Sequence, residues 1–379
     1  METVGIITLC NSTNFGGVLQ AVALKKALDR VGVSSEMIVH QKSLSSWISV
    51  KEYLILRKRL YGINLFRMTM GSIKVLMMNI HYFERKKKKD RFDSFRKQHL
   101  NMTQYYPDIG DLRSISNYYD GYITGSDQVW NAEFTDNQID PAYTLEFVDK
   151  NIPCFSYAAS TGGVKSDDYL LDLLSRVDKF KMISVREKSL ADALERIGGE
   201  NIYTHIDPVL LLSRDDWDKL TIKPQKTVPS HYILLYYLEK ETKKDILIHN
   251  IASKLGLPVI DISSSGITEN CKWIYDWNAG PGEFLYYIEH ADYVVTNSFH
   301  AVVFSLIFKT KFIACNRIGQ ESRIKDLLNS IGLEKHLISS NGDWSSLYEP
   351  VFQGRELFIN QIDEAYNYLH LIKEIIIKE

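Results

Sequence analysis

Residues 291–316, ADYVVTNSFHAVVFSLIFKTKFIACN, are two apolar runs broken by Thr296, Asn297, Ser298 and His300. Polar groups set into a run bound for the interior are costly unless they are paired or form a site. The spacing predicts a strand ending at Asn297 and a helix beginning near Phe299, with Ser298 as N-cap and His300 in the first turn. A parallel strand end followed by a helix N-terminus directs unpaired N–H groups and the helix dipole at one point, which suits an anion. A histidine there can move a proton near neutral pH. The structural alternative is a capped helix whose histidine is satisfied by nearby backbone.

A second junction of this kind is ISVREKSL, where Arg186 follows a strand at 181–185 and opens a helix. A cation at a helix N-terminus opposes the dipole, so Arg186 makes most sense gripping a carboxylate or phosphate with its planar fork. A surface salt bridge is the plain reading. A third is NAGPGEF, in which Gly282 precedes a helix and exposed N–H groups would help hold an anion. The stretch TGSDQVWN places Ser126, Asp127, Gln128, Trp130 and Asn131 together. A carboxylate and amides beside an indole suit a sugar, and the alternative is an Asx turn over a buried tryptophan.

The elements that must carry these residues alternate. VGIITLC, the loop NSTNFGG and the helical VLQAVALKKALDRVG before SSEMIVH open a βαβ unit, with Gly32 as helix stop. Strand-like runs recur at 119–125, 153–159 and 181–185, and again after residue 231, each with a helical partner. The expectation is two α/β halves, each a parallel sheet covered by helices, with the cleft between them as the binding place. The boundaries expected are 1–212 for the first domain, 213–230 for a linker, 231–350 for the second domain and 351–379 for a C-terminal helix. Residues 42–105 read as an insertion in the first domain.

Composition narrows the function. The 379 residues carry a net charge of −2, which gives no reason to expect nucleic acid as partner. Residues 51–97 nevertheless hold fourteen Lys/Arg against four Asp/Glu. A solvated helical insertion is the plain reading, and attachment to anionic lipid the sharper one. The four cysteines form no CxxC pair, so buried thiols are expected and a zinc site is not. With no signal-peptide pattern and no run of about 20 apolar residues, a cytoplasmic protein is expected. There is no GxxxxGKS, HExxH, GxSxG or GxGxxG, so neither a phosphate loop, a zinc protease, a nucleophile elbow nor a nicotinamide cofactor is indicated.

Taken in order, TNFGGVLQAVAL, YDGYITGSDQVWN, FSYAAS, ISVREKSLADAL, HIDPVLLL and AGPGEFLYYIEHADYVVTNSFHAVVFSLIF resemble the polysaccharide pyruvyltransferase family, over most of the chain. The resemblance implies two Rossmann-like domains facing a cleft, as in GT-B enzymes. It implies that phosphoenolpyruvate gives a pyruvyl unit to two hydroxyls of a surface-polysaccharide sugar, forming a cyclic ketal and releasing phosphate. Arg186 would hold the donor together with Gly282, Ser298 and Phe299, and His300 would be the general acid. Many members carry Arg-Leu-His where this chain has Ser298-Phe299-His300, so Arg317 or Arg323 is expected to supply the missing cation. Asp127 is the expected base. Asn14, Gly16, Gly17, Gln20, Ser126, Gln128, Trp130 and Asn131 are expected beside it around the acceptor, a sugar or lipid-linked oligosaccharide. No cofactor and no metal beyond that co-substrate are expected. An ordinary glycosyltransferase using a nucleotide sugar, or an inactive sugar-binding scaffold, stay open as alternatives.

Overall fold

The structure is a computed structural model that describes residues 2–40, 86–135, 137–238, 242–263, 273–315, 321–338 and 354–378. Arg317, Cys271 and most of the 42–105 insertion lie outside the described residues. The first sheet has strands β1 (Thr3–Ile7), β2 (Ser34–Val39), β3 (Met102–Tyr105), β4 (Gly121–Asp127), β5 (Cys154–Ala159), β6 (Phe180–Val185) and β7 (Ile202–Thr204). They lie in the order β3-β2-β1-β4-β5-β6-β7, every pair parallel. The second sheet has β8 (Ile233–Tyr236), β9 (Val259–Asp261), β10 (Ile274–Tyr275), β11 (Tyr293–Thr296), β12 (Lys311–Cys315) and β13 (Leu337–Ile338). Its order is β10-β9-β8-β11-β12-β13, again all parallel.

Both orders reverse at one place, β1/β4 in the first sheet and β8/β11 in the second. Ligands of open parallel sheets bind outside the strand C-termini at such a reversal. The loop after β1, the end of β4 and the turn after β11 are therefore the parts to examine. The first of these runs into the helix Phe15–Val31, capped by Asn14, whose side chain accepts from the N–H groups of Gly16 and Gly17. The helix ends at Gly32 in the left-handed region, φ 79°, where glycine carries no Cβ penalty.

One apolar core runs through both domains, from Val4 and Leu24 to Phe304 and Leu369. At the boundary Phe15 stacks on Phe284, centroids 4.5 Å apart, and on Phe92, 5.2 Å, with Tyr236 edge-on at 5.4 Å. Burying each such ring contributes roughly 1.5–3 kcal/mol. Phe92 belongs to the helix 86–99, the described part of the basic stretch. Several of its cations turn inward. Arg91 lies 3.2 Å from Glu283, Lys88 sits over the Phe15 ring at 4.7 Å, and Arg96 is buried.

The segment 213–230 is packed rather than loose. Ser213 and Asp216 form a capping box for Arg214–Asp218, and Trp217 is fully buried, edge-on to Phe304, its Nε1 donating to Val209 O at 3.1 Å. The final helix, Ile359–Lys378, returns to the first domain, where Tyr368 donates to Ser156 O at 2.8 Å and Lys373 to Val31 O at 2.9 Å. No helix among the described residues is long and apolar enough to cross a membrane. Cys10, Cys154 and Cys315 are buried, and burial pushes the thiols of Cys10 and Cys154 up to about 11.

The same helix covers His205, which lies against Tyr368 (4.4 Å) and near Tyr157 and Tyr203, with Nδ1 2.8 Å from Ser184 Oγ. Burial pushes its imidazole down to about 4. The unfolded chain, with an ordinary histidine near 6.5, binds the extra proton between these values, so stability falls as pH drops from about 6.5 to about 4. The loss over that window is on the order of 3 kcal/mol. His205→Gln should flatten this part of the melting temperature against pH curve. Parallel curves for the two proteins would show that His205 does not titrate with unfolding.

Candidate active site

Arg186 leaves β6 with its N–H donating to Ala159 O at 3.0 Å, which aims the side chain past the sheet end. Its guanidinium is buried among three carboxylates. Nη1 donates to Asp207 at 2.9 Å, Nε donates to Glu187 at 3.0 Å, and Nη1 stands 3.5 Å from Asp127. Burial alone would lower its pKa, but those three charges hold it above the ordinary arginine value. Asp207 caps the short helix Pro208–Leu211, accepting from Val209 N at 3.1 Å. Burial would raise its carboxyl, yet His300 and Arg186 hold it well below the usual carboxylate range.

The second domain supplies the rest. His300 opens the wholly buried helix Phe299–Phe308, and its Nε2 lies 3.3 Å from Asp207 Oδ2. The contact is a close approach and not an aligned hydrogen bond, since Nε2 has no hydrogen-bond partner among the described residues. Nδ1 lies against the helix that follows β1. A Cβ placed on Gly16 would come within 2.0 Å of it. Arg323, on the helix Glu321–Ser330, is 3.7 Å from both Asp127 and Glu187. Burial and then the Arg186 charge push it down to about 10. Both guanidinium carbons lie over the Phe299 ring, Arg186 at 4.7 Å and Arg323 at 5.1 Å. Cation–π attraction of this kind helps hold two like charges together.

Among the described residues four buried polar atoms of this cluster have no hydrogen-bond partner: Arg186 Nη2, Glu187 Oε2, His300 Nε2 and Arg323 Nε. Each unpaired buried group costs about 1–3 kcal/mol. Four together, from both domains, mark a place built for a polar ligand. Two guanidinia, a histidine and three carboxylates can bind an anion, give it a proton and take one from a hydroxyl.

The polar wedge of residues 296–300 divides its labour. Thr296 Oγ1 donates to Tyr236 O at 2.6 Å and accepts from Ser298 N, Asn297 Oδ1 accepts from Leu238 N at 2.9 Å, and Ser298 Oγ caps Ala301 N. Three of the four hold the junction, and His300 is the one that reaches the cluster of carboxylates and guanidinia. Ser298 thus serves as a cap, while Phe299 meets both arginines. Gly282 does not join the cluster. It faces Ile222, whose N–H donates to its carbonyl at 3.0 Å, because a Cβ there would meet the Ile222 side chain at 2.5 Å.

Of the acceptor-side expectations, Trp130 is corrected. It is fully buried, with Nε1 donating to Tyr143 O at 3.1 Å, so neither ring face is open to a sugar. Asn131 donates to Gln128 Oε1 at 2.7 Å, and both pack on Gly162, a left-handed glycine with φ 79°. Gln20 donates to Thr8 Oγ1, which donates to Ser126 O, both at 2.8 Å, tying β1 to β4 beneath the site. Asn14 acts as cap, and Gly17 gives room to Leu9 O, 2.6 Å from where its Cβ would stand. Asp127 alone of the TGSDQVWN loop reaches both arginines. Glu187 and Asp207 had no role in the sequence reading. Their signals were the VRE and HIDP stretches, where an acid adjoins the arginine and precedes a proline.

The sequence model for "Polysaccharide pyruvyl transferase" matches residues 14–317. No curated protein matches the chain. Among solved structures, UDP-GlcNAc 2-epimerase from Methanocaldococcus jannaschii is similar at 14% identity and TM-score 0.51, over 97% of this chain and 93% of that one. The Neisseria meningitidis UDP-GlcNAc 2-epimerase bound to UDP-GlcNAc gives 11% identity and TM-score 0.51, over 98% and 94%. MurG of Acinetobacter baumannii aligns over the full length of both chains at 10% identity and TM-score 0.46. At such identities the two epimerase likenesses speak for the fold alone, a GT-B-like pair of parallel-sheet domains. Arg186, Asp127, Asp207 and His300 all fall inside the matched span, and over that span the chain belongs to the polysaccharide pyruvyl transferase family.

Proposed function

We propose that the protein transfers a pyruvyl unit from phosphoenolpyruvate to two hydroxyls of a sugar in a surface polysaccharide or its precursor. The observation that carries this reading is the pair of buried guanidinia, Arg186 and Arg323, brought to one point from opposite domains beside His300. Phosphoenolpyruvate presents a carboxylate and a phosphate, and two arginine forks suit both.

The electron and proton flow is as follows. One acceptor hydroxyl oxygen adds to C2 as the C2=C3 pair takes a proton from His300, making C3 a methyl group. The hydroxyl proton passes to a carboxylate, a role given to Asp127, which stands between the two arginines at 3.5 and 3.7 Å. The second hydroxyl then bonds to C2 while the C2–O(phosphate) bond breaks. Inorganic phosphate leaves with that electron pair and the second hydroxyl proton. Asp207, 3.3 Å from Nε2, keeps His300 oriented.

The test is a thermal-shift titration with phosphoenolpyruvate, pyruvate, UDP and GDP, followed by phosphate release with candidate glycans. A ligand that binds only the folded state must raise the midpoint. Phosphoenolpyruvate is expected to do so, and nucleotides are not. A shift with UDP or GDP alone would turn the reading to a nucleotide-sugar glycosyltransferase.

The loop that carries Gly16 has its own support. Arg96 Nη1 donates to the carbonyls of Cys10 at 3.2 Å and Ser12 at 2.7 Å, and Nη2 pairs with Asp93. Arg96→Ala leaves two loop carbonyls unpaired, so stability should fall by about 2 kcal/mol. Turnover is expected to fall roughly tenfold as the shelf under His300 loosens. Unchanged turnover in a destabilised variant would separate the loop from the chemistry.

A further inference from the structure

The cluster sets three carboxylates around two guanidinia. Asp127, Glu187 and Asp207 face Arg186 and Arg323, with His300 beside Asp207. A donor with its own carboxylate and phosphate cannot join three carboxylates around two guanidinia without one of them giving way. Two are fixed. Asp207 has a completely buried side chain and accepts from Val209 N and from Arg186. Glu187 accepts from Ser160 Oγ at 3.0 Å and from Arg186 Nε at 3.0 Å. Asp127 differs on each count. Its carboxylate makes only the contacts at 3.5 and 3.7 Å to the two arginines among the described residues, both too long for good hydrogen bonds. Its side chain is also the most open of the three, at 10% against 6% and 0%.

The position of Asp127 matters as much as its looseness. Oδ1 stands between Arg186 Nη1 and Arg323 Nη2, one from each domain, where an anionic ligand oxygen would be gripped. The backbone that carries it is itself unusual, with φ 73°, and its N–H and carbonyl belong to the strand end. The side chain can therefore swing without moving β4.

We propose that Asp127 is an internal stand-in for the donor: its carboxylate neutralises the Arg186–Arg323 pair until phosphoenolpyruvate displaces it, and only then is it free to take the acceptor hydroxyl's proton. This rests on the pyruvyl-transfer reading above. As the hydroxyl oxygen bonds to C2, its proton passes to the released carboxylate while His300 protonates C3. One event thus loads the donor and uncovers the base, so donor binds before acceptor.

The experiment is a phosphoenolpyruvate titration of the full chain by thermal shift, comparing the parent with Asp127→Asn and Asp127→Gly. Both replacements accept a left-handed backbone, so the fold is not at risk, and each shift is read against its own baseline. The expected result is binding roughly tenfold tighter in both variants, since a like charge has left the anion position. Phosphate release in the presence of acceptor should fall by two orders of magnitude or more. Binding unchanged or weaker in both variants, with the parent still responding, would overturn the displacement while leaving the donor assignment intact. A response in the variants but not the parent would support it. No response from any of the three would take down the donor reading and this inference with it.

Discussion

Arg186→Lys should retain the fold but lose two to three orders of magnitude in phosphate release from phosphoenolpyruvate. Lysine keeps the charge and loses the fork. Arg186 spends Nε on Glu187 and Nη1 on Asp207, and has Nη2 in hand. An ammonium can satisfy one of those carboxylates well, and it has no planar face to lay over Phe299. The donor therefore loses a directed contact in the transition state, a loss that typically costs 10²–10³ in rate. Stability should fall too, by about 1–3 kcal/mol, because a buried carboxylate is left short of a partner. The check is a melting curve beside a phosphate-release assay and a thermal shift with phosphoenolpyruvate. A lysine variant that binds and turns over the donor like the parent would remove Arg186 from the donor site.

Gly16→Ala is the second large effect, reached from the opposite side of the histidine. The added methyl would stand 2.0 Å from His300 Nδ1 and 2.5 Å from Cε1, distances that no relaxed contact allows. Gly16 is helical with an ordinary backbone, so alanine brings no strain of its own and has better helix propensity. The whole burden falls on the imidazole, which must tilt or the helix must back away. Overpacking of this sort costs about 1–3 kcal/mol. A displaced general acid costs far more in rate, on the order of 10²–10⁴. Donor affinity should change little, because both arginines stay in place. The discriminating readout is a fall in kcat with the phosphoenolpyruvate shift retained. If kcat survives, His300 is not the proton donor.

The pieces of the fold that could be read from sequence were those set by local pattern. The β1–helix–β2 opening, the Gly32 stop and the Ser298 cap follow from spacing and residue type within a few positions. The short edge strands β3, β10 and β13 carry two to four residues each and no pattern of their own. They exist because a neighbouring strand offers an open edge. At the site, His300 and Arg186 could be singled out as members of one cluster because each is a polar group set at a strand-to-helix junction. Trp130 misled because its company in SDQVWN is polar, whereas its ring packs in a core that includes Tyr143 and Phe147, beyond the loop. Glu187 and Asp207 could not be assigned, since their meaning lies in sharing one guanidinium across two elements. Gly16 likewise reads as a ligand glycine until His300 arrives from the other domain.

The path of the chain between the domains sets what kind of motion the cleft can make. The polypeptide crosses once after Leu212 and returns before the helix Ile359–Lys378, and the two crossings are knotted together at a single point. Leu210 O accepts from Arg355 at 2.9 Å, and Leu211 O accepts from Arg355, Arg30 and Tyr366 at 3.2–3.3 Å. Any relative displacement of the two domains must therefore keep these bonds or break them. His300 and Arg323 belong to one side of that seam, and Arg186, Asp127 and Asp207 to the other. The crossings that join the domains thus also hold the two halves of the site in register.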